Sequence, residues 1–169
     1  YSAYHPKINI EILRMLARDK ASSVRASVCY NPKTPIDILR KLAEDKDQKV
    51  RSAVAWNIRT PINVLRQLAK DSNPDVRSNV AQNSQTPPEL LQKLSRDENY
   101  SVKISLVVNK NTPMNVLEVL TNDSNPRISD LAKQRLLKTR SENNISEDKL
   151  KTNSGDTIHN SARSRGKIK

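Results

Sequence analysis

The sequence lacks phenylalanine, and aromatic residues make up only 3% of its 169 positions. Glycine is nearly absent, while Leu, Lys, Arg and Asp are frequent, and this balance favours helices over a sheet-rich fold. A core must therefore be aliphatic. No apolar run approaches the roughly 20 residues that span a bilayer, and we identify no secretory signal. We expect no membrane association and a cytoplasmic location.

Cysteine and histidine are also scarce. The single cysteine, Cys29, excludes a disulfide within the chain and a multi-cysteine metal site. The two histidines, His5 and His159, lie far apart, and no Ser/His/Asp grouping, Gly-rich phosphate loop or metal-ligand cluster is present. We therefore predict no enzymatic activity, no catalytic residue, no metal and no cofactor. The net charge of +12 points instead to acidic partners or nucleic acid.

The organising feature that is present is a 26-residue repeat in five copies. One leucine column recurs at this spacing, and an Asn-x-x-Thr-Pro phrase precedes the second and later copies. Because so many columns keep the same step, the sequence predicts an all-α solenoid of two helices per copy. The leucine column is Leu13, Leu39, Leu65, Leu91 and Leu117, and the phrases begin at Asn31, Asn57, Asn83 and Asn109.

The first helix of each copy has a clear start signal. Thr34 is predicted as the N-cap and Pro35 as the first helical residue, and Thr86 with Glu89 resembles a capping box. The helix is expected to run to about Glu44. Its predicted inward positions are Ile38, Leu39, Leu42 and Ala43.

A tight connection then leads into a shorter second helix, at about residues 49–56. Its predicted inward positions are Val50, Ala53 and Val54. Asn57 and its column are expected to end this helix in the left-handed conformation, which asparagine tolerates better than most residues.

The two ends of the solenoid differ. The final helix is expected to run on through Leu136 and Leu137 and to close the core. The repeat pattern then stops, and we predict a solenoid over residues 4–138 and a disordered, basic, polar tail over 139–169. The first copy carries no polar cap, so we expect further repeats before Tyr1.

The repeated phrase closely resembles the leucine-rich repeat variant family, with similarity to HEAT repeats. The resemblance implies a right-handed superhelix of α-helices alternating with short α- or 3₁₀-helices. A founding member of that family holds an iron–sulfur cluster on cysteines near its N-terminus. This chain has one cysteine, so the resemblance implies no cluster here. The residues that match are Asn31, Thr34, Pro35, Leu39, Leu42, Ala43, Asp45, Val50, Arg51, Val54, Ala55 and Asn57.

An acidic and a basic column always occur together in the repeat. The basic residues could form a phosphate-binding ladder, or each could bridge to an aspartate of its own or a neighbouring copy. We favour the structural role, because charge-assisted pairs of this kind orient repeats. The pairs by sequence are Asp19/Arg25, Asp45/Arg51, Asp71/Arg77 and Asp97/Lys103.

Other cations have no acidic column beside them. One row lies in the loops before the first helices, at Lys7, Lys33 and Arg59, and a second lies on these helices, at Arg14, Arg40 and Arg66. A partial third column holds Arg18, Lys70 and Arg96. These rows could track an acidic peptide or a nucleic-acid backbone, or form an ordinary solvated face.

An aromatic column precedes the asparagines, at Tyr4, Tyr30 and Trp56. The rings could anchor a partner, stack on bases, or cover the seam between copies. We predict a non-catalytic scaffold that binds an acidic protein partner through a solenoid face. The alternative is a nucleic-acid-binding solenoid that uses the basic rows of the first three copies. The sequence leaves the oligomeric state open.

Overall fold

The computed structural model describes residues 9–141, which form ten helices and no strand. The predicted all-α repeat fold is confirmed. Tyr4, His5, Lys7 and nearly all of the predicted tail lie outside these residues. The first helices of the copies are α1 (Ile10–Leu16), α3 (Ile36–Leu42), α5 (Ile62–Leu68), α7 (Pro88–Leu94) and α9 (Met114–Leu120). The second helices are α2 (Ser22–Cys29), α4 (Gln48–Trp56), α6 (Pro74–Gln82), α8 (Tyr100–Val108) and α10 (residues 126–141).

The leucine column forms a continuous core between two layers of helices. Leu39, Leu65 and Leu91 are fully buried, and so are the predicted inward residues of α3 and α4. Each buried Leu, Ile or Val side chain stabilises the fold by about 1.5–3 kcal/mol. No helix between residues 9 and 141 combines the length and apolar character needed to cross a bilayer.

The two layers are spaced differently. Neighbouring second helices contact each other along their length, whereas neighbouring first helices touch at few points. The second helices approach closely because small or short polar side chains face their neighbours, and these side chains hydrogen-bond across the gap. Asn79 Nδ2 donates to Ser52 Oγ at 2.6 Å, and Ser78 Oγ lies 2.7 Å from Ser105 Oγ. The first helices stand farther apart, and surface grooves lie between α1 and α3 and between α5 and α7.

The threonines do not cap the first helices, contrary to the sequence prediction. Pro35 occupies the N-cap of α3 and Pro87 that of α7, so each threonine lies one residue too early to cap. Thr86 Oγ1 instead donates to the carbonyl of Val80 at 2.6 Å, which also excludes the predicted capping box with Glu89. The buried carbonyl at the end of the second helix needs a donor, and the threonine supplies it.

The second helices are the longer ones in each copy, so the prediction of a shorter second helix is wrong. The helices α4, α6 and α8 have nine residues each, whereas the first helices have seven. The first helix α3 ends at Leu42 because its last turn tightens. The amides of Glu44 and Asp45 donate three residues back, to the carbonyls of Lys41 and Leu42, both at 3.2 Å. The 3₁₀ character therefore lies at the end of the first helix.

The asparagine column is buried and extended, so its predicted left-handed conformation is also wrong. Asn83 has φ −66° and ψ 125°, and no residue in the described part of the chain has a positive φ. Its Nδ2 donates to the carbonyl of Ala55 at 2.7 Å, and its Oδ1 accepts the amide of Gln85 at 2.9 Å. The same two bonds recur at Asn57 and Asn109. Each asparagine thus joins its copy to the preceding one.

The last helix of the described residues packs against the solenoid through Ile128, Ala132 and Leu136. In α10, Leu136 is buried and Leu137 is exposed. Arg140 of this helix pairs with Glu118 of α9 at 2.9 Å. The helix α10 continues through residues 139–141, and the division into a solenoid over residues 4–138 and a tail over 139–169 remains a prediction.

We predict that Asn83→Ala lowers the free energy of unfolding by about 2–4 kcal/mol, because it leaves buried backbone groups without partners. Urea unfolding followed by far-UV circular dichroism measures the change. Asn111→Ala is the matched control, since its Nδ2 donates to the Ser84 carbonyl at 2.9 Å in an exposed position. Equal losses for the two variants would contradict the structural role of the buried asparagines.

Candidate functional site

The acidic and basic columns pair between copies. Arg51 Nε and Nη2 donate to Asp71 of the next copy at 2.6 and 2.9 Å, and Nη1 donates to the carbonyl of Asp45 in its own copy at 2.8 Å. We call this set the Arg–Asp ladder. Its side chains are engaged within the protein and form no free phosphate-binding row. Its pairs are Arg25–Asp45, Arg51–Asp71, Arg77–Asp97 and Lys103–Asp123. The backbone carbonyl of Asp19, the aspartate of the first copy, accepts a hydrogen bond from Arg25.

The ladder keeps its carboxylates ionised. The hydrogen bond from Arg25 lowers the pKa of Asp45. At Asp71, burial raises the pKa, but hydrogen bonds from Arg51 and from the amide of Asn73 outweigh it, so the pKa lies below its usual value. The ladder therefore contributes stability at neutral pH that acid removes.

The basic row on the first helices is exposed but partly paired. Arg14 of α1 contacts Asp37 of α3 at 2.5 Å, and Arg66 of α5 contacts Glu89 of α7 at 2.6 Å. The prediction that this row is unpaired is therefore wrong at two of its three positions. Arg40 has no carboxylate partner in the described part of the chain. The row thus offers little free charge.

The loop row lies at a different edge of the solenoid. Lys33 and Arg59 are exposed, and their amides donate to the side chains of the preceding Asn31 and Asn57 at 2.8 Å. Arg59 Nη1 also donates to the carbonyl of Pro32, at 3.1 Å, so successive loops are neighbours. The structure therefore separates this row from the arginines in the last turns of α1, α3 and α5.

The aromatic column lies beside the loop row. Tyr30 follows α2 and Trp56 ends α4, and the two residues are 47% and 49% exposed. Neither ring is simply covered by the seam between copies. In later copies this column continues as Gln82 and Val108, so an aromatic surface is confined to the earlier ones.

Sequence reasoning missed the isoleucines of the same edge. Ile58 is 63% exposed, and Ile36 and Ile62 begin α3 and α5 with large exposed fractions. A signal was present: an isoleucine recurs at this helix start, outside the inward positions. All these residues lie between the end of a second helix and the start of the next first helix. We define the turn-edge patch as Tyr30, Lys33, Ile36, Trp56, Ile58, Arg59 and Ile62.

Cys29 belongs to the core. It is fully buried, and burial, together with the charge of Asp45, raises the pKa of its thiol to about 12. Residues 9–141 contain no group of three or more His, Cys, Asp or Glu side chains that could hold a metal ion. The residues present do not fit an iron–sulfur cluster.

The paired layers and repeated links define a helical repeat solenoid, a class whose members typically act as binding surfaces. Residues 74–99 match the family model of the leucine rich repeat variant. The fold is similar to a solved structure described as a leucine-rich repeat variant with a novel repetitive protein structural motif. The two share 26% sequence identity with a TM-score of 0.62, over 77% of this chain and 52% of that chain. This chain thus spans about half the length of its solved relative.

A comparison with curated proteins finds no match. The family model and the solved structure confirm the resemblance inferred from the repeated phrase. The matched segment is one full period, and the other copies share its columns. The repeat of this chain is therefore similar to the leucine-rich repeat variant in both sequence and fold.

We predict that Asp71→Asn lowers the free energy of unfolding at neutral pH by about 2–3 kcal/mol, because it leaves Arg51 half-buried without its carboxylate. The pKa of Asp71 is lowered in the folded state, so its stabilisation is full above its ordinary pKa of 3.8. It is lost as the pH falls through the folded-state pKa. The difference between wild type and variant should therefore shrink in acid. Urea unfolding at neutral and acid pH measures it.

The matched control is Asp75→Asn, which makes the same chemical change at an exposed position in the first turn of α6. We expect a loss below about 1 kcal/mol, from the helix dipole alone. A loss at Asp75 as large as that at Asp71 would argue against the ladder.

The Cys29 thiol should not react with a disulfide reagent in the folded protein at about pH 8, close to the ordinary thiol pKa. In guanidinium chloride it should react completely, giving one thiol per chain. Ser101→Cys, at an exposed position of α8, provides a reactive control. Rapid reaction of native wild type would show that Cys29 is accessible.

Proposed function

We propose that this chain is a non-catalytic binding scaffold that holds an acidic segment of a protein partner against the turn-edge patch. The observation that carries the proposal is the placement of half-exposed Trp56 and exposed Ile58 beside the Arg59 cation. Tryptophan and arginine are over-represented among residues that dominate binding energy. Apolar anchors beside cations suit a segment that combines acidic with apolar side chains.

The repeat keeps this patch rigid. Asn57 fixes the turn before Arg59 through its side-chain bonds, and Thr60 Oγ1 donates to the carbonyl of Val54 at 2.6 Å. The patch side chains therefore lie on a turn that is already ordered before binding. A preordered surface loses less conformational entropy when a partner docks.

A protein partner is favoured over nucleic acid by the distribution of charge. The Arg–Asp ladder uses four basic residues internally, and Arg14 and Arg66 pair with carboxylates. Binding to a phosphate backbone depends on many free cations along one track. The exposed isoleucines add apolar surface, which the core of a protein–protein contact uses.

The test is selection of a random peptide library, displayed on phage, against the wild-type protein. We expect the selected peptides to combine Asp or Glu with apolar residues. Their affinity should fall at least about tenfold for Trp56→Ala, as expected of a central anchor. Fluorescence polarisation with synthetic copies of the peptides measures the loss, and because Trp56 is the single tryptophan, its fluorescence should also respond.

Tyr100→Ala is the matched control, because Tyr100 is an exposed aromatic at the start of α8, on the opposite edge. We expect less than about a twofold change for it, as for most contacts outside a binding centre. Selected peptides that lack acidic residues, or that bind Trp56→Ala as tightly as wild type, would refute the proposal.

Nucleic acid is tested directly with single- and double-stranded DNA and RNA over about 50–200 mM salt. A plot of the logarithm of the binding constant against the logarithm of the salt concentration gives the slope. A slope of minus several units would favour the nucleic-acid alternative. Weak or absent binding at the lowest salt is the expected result.

A further inference from the structure

The first-helix layer contains a groove between α5 and α7 that is distinct from the turn-edge patch. It encloses about 270 Å³. It exists because neighbouring first helices stand apart while the second helices pack tightly. Its size is just below the ~300–1,000 Å³ typical of sites for small-molecule ligands. The residues that line it are Arg66, Ala69, Lys70, Leu90, Lys93, Leu94, Arg96 and Asp97.

The groove has a surplus of unpaired positive charge. Its carboxylate, Asp97, already accepts two hydrogen bonds from Arg77, at 2.6 and 3.0 Å. Arg66 is held by Glu89 at 2.6 Å. Lys70, Lys93 and Arg96 are exposed, and none pairs with a carboxylate within residues 9–141. Three cations therefore line one groove without a direct ion pair to a described residue, although the carboxylate of Glu89 interacts electrostatically with Lys93.

A structural explanation for these cations is that they lie near the C-terminal ends of α5 and α7, where positive charge stabilises a helix. Such a role would apply to every first helix. Yet Glu44 stands after α3 at the position of Lys70 and Arg96, and α9 has no basic residue in its last turn. Positive charge also lines the equivalent groove between α1 and α3, at Arg14, Arg18 and Lys41. The groove between α5 and α7 adds Arg96, where α3 is followed by Glu44 instead, so it is the more positive of the two.

The floor of the groove is apolar. Leu90 and Leu94 present their edges there, together with the partly buried Ala69. A free phosphate would neutralise the cations but would leave this floor in contact with water. A peptide with an aliphatic side chain between acidic ones would cover the floor and reach the rim at once.

We propose that the groove between α5 and α7 is a second binding site, which takes a short acidic protein segment with a central aliphatic residue. The segment's carboxylates pair with Lys70, Lys93 and Arg96, and its aliphatic side chain lies over Leu90 and Leu94. This site is separate from the turn-edge patch. The chain therefore offers two surfaces for binding.

The probe is a fluorescein-labelled peptide in which a leucine is flanked on each side by two glutamates. Fluorescence polarisation measures its binding to wild type and to the double variant Lys70→Glu/Lys93→Glu. We expect the charge reversal to weaken binding at least about tenfold, because it places like charges face to face. Far-UV circular dichroism and urea unfolding check that the variant is folded.

The matched control is Lys46→Glu/Lys110→Glu, which makes the same change in net charge at exposed positions away from the groove. We expect less than about a threefold effect from it, because salt screens distant charges. Equal weakening by the two double variants would refute a defined site. A peptide with serine in place of leucine should bind more weakly, and equal affinity would contradict the apolar floor.

Two further measurements separate this proposal from others. Trp56→Ala should leave binding of the probe unchanged; a large loss would place the probe on the turn-edge patch and overturn the groove. Inorganic phosphate and single-stranded DNA are tested as competitors of the probe. If either displaces the probe at the same concentration as unlabelled peptide does, the groove is a general anion site and the proposal is overturned. Failure of the groove in these assays leaves the peptide selection against the turn-edge patch unaffected.

Discussion

The structure depends on polar groups that each copy supplies to its neighbour. The buried amide of Asn83 reaches the carbonyl of Ala55 in the preceding copy, and the guanidinium of Arg51 reaches Asp71 in the following one. An aliphatic core is not directional and would tolerate sliding between copies. Buried hydrogen bonds are directional and costly to leave unmade, so they fix the step from copy to copy. Every surface of the solenoid inherits its spacing from these bonds.

The unequal spacing of the two layers then shapes the surfaces that we propose for binding. Short side chains such as Ser52 and Ser78 let the second helices approach, which opens grooves on the opposite side, between the first helices. The turn between the layers is held by Asn57 and Thr60, so its exposed side chains stand on an ordered support. The surfaces proposed for binding thus lie where the repeat leaves apolar or charged residues without an internal role.

Much of the fold could be predicted from the sequence, because residues that are buried at regular intervals leave a regular pattern of apolar residues. Leu39 and Val50 could be assigned to the core from spacing alone. Local rules failed at Thr60 and Asn57, whose residue types favour helix caps and left-handed turns. Both side chains instead serve buried carbonyls, Thr60 at the end of the preceding helix and Asn57 in the preceding copy. Only the packed structure brings those carbonyls within reach, so a local rule could not identify them.

For the candidate sites, the sequence by itself determined which residues recur, and hence which columns could be core, ladder or surface. It could not decide that Arg14 and Arg66 are paired while Lys70, Lys93 and Arg96 are not. Those pairings join residues 23 positions apart, as from Arg14 to Asp37, and depend on the distance between neighbouring first helices. The tertiary structure decided which charges remain free, because ion pairing depends on distances of a few ångströms between side chains that sequence spacing does not fix.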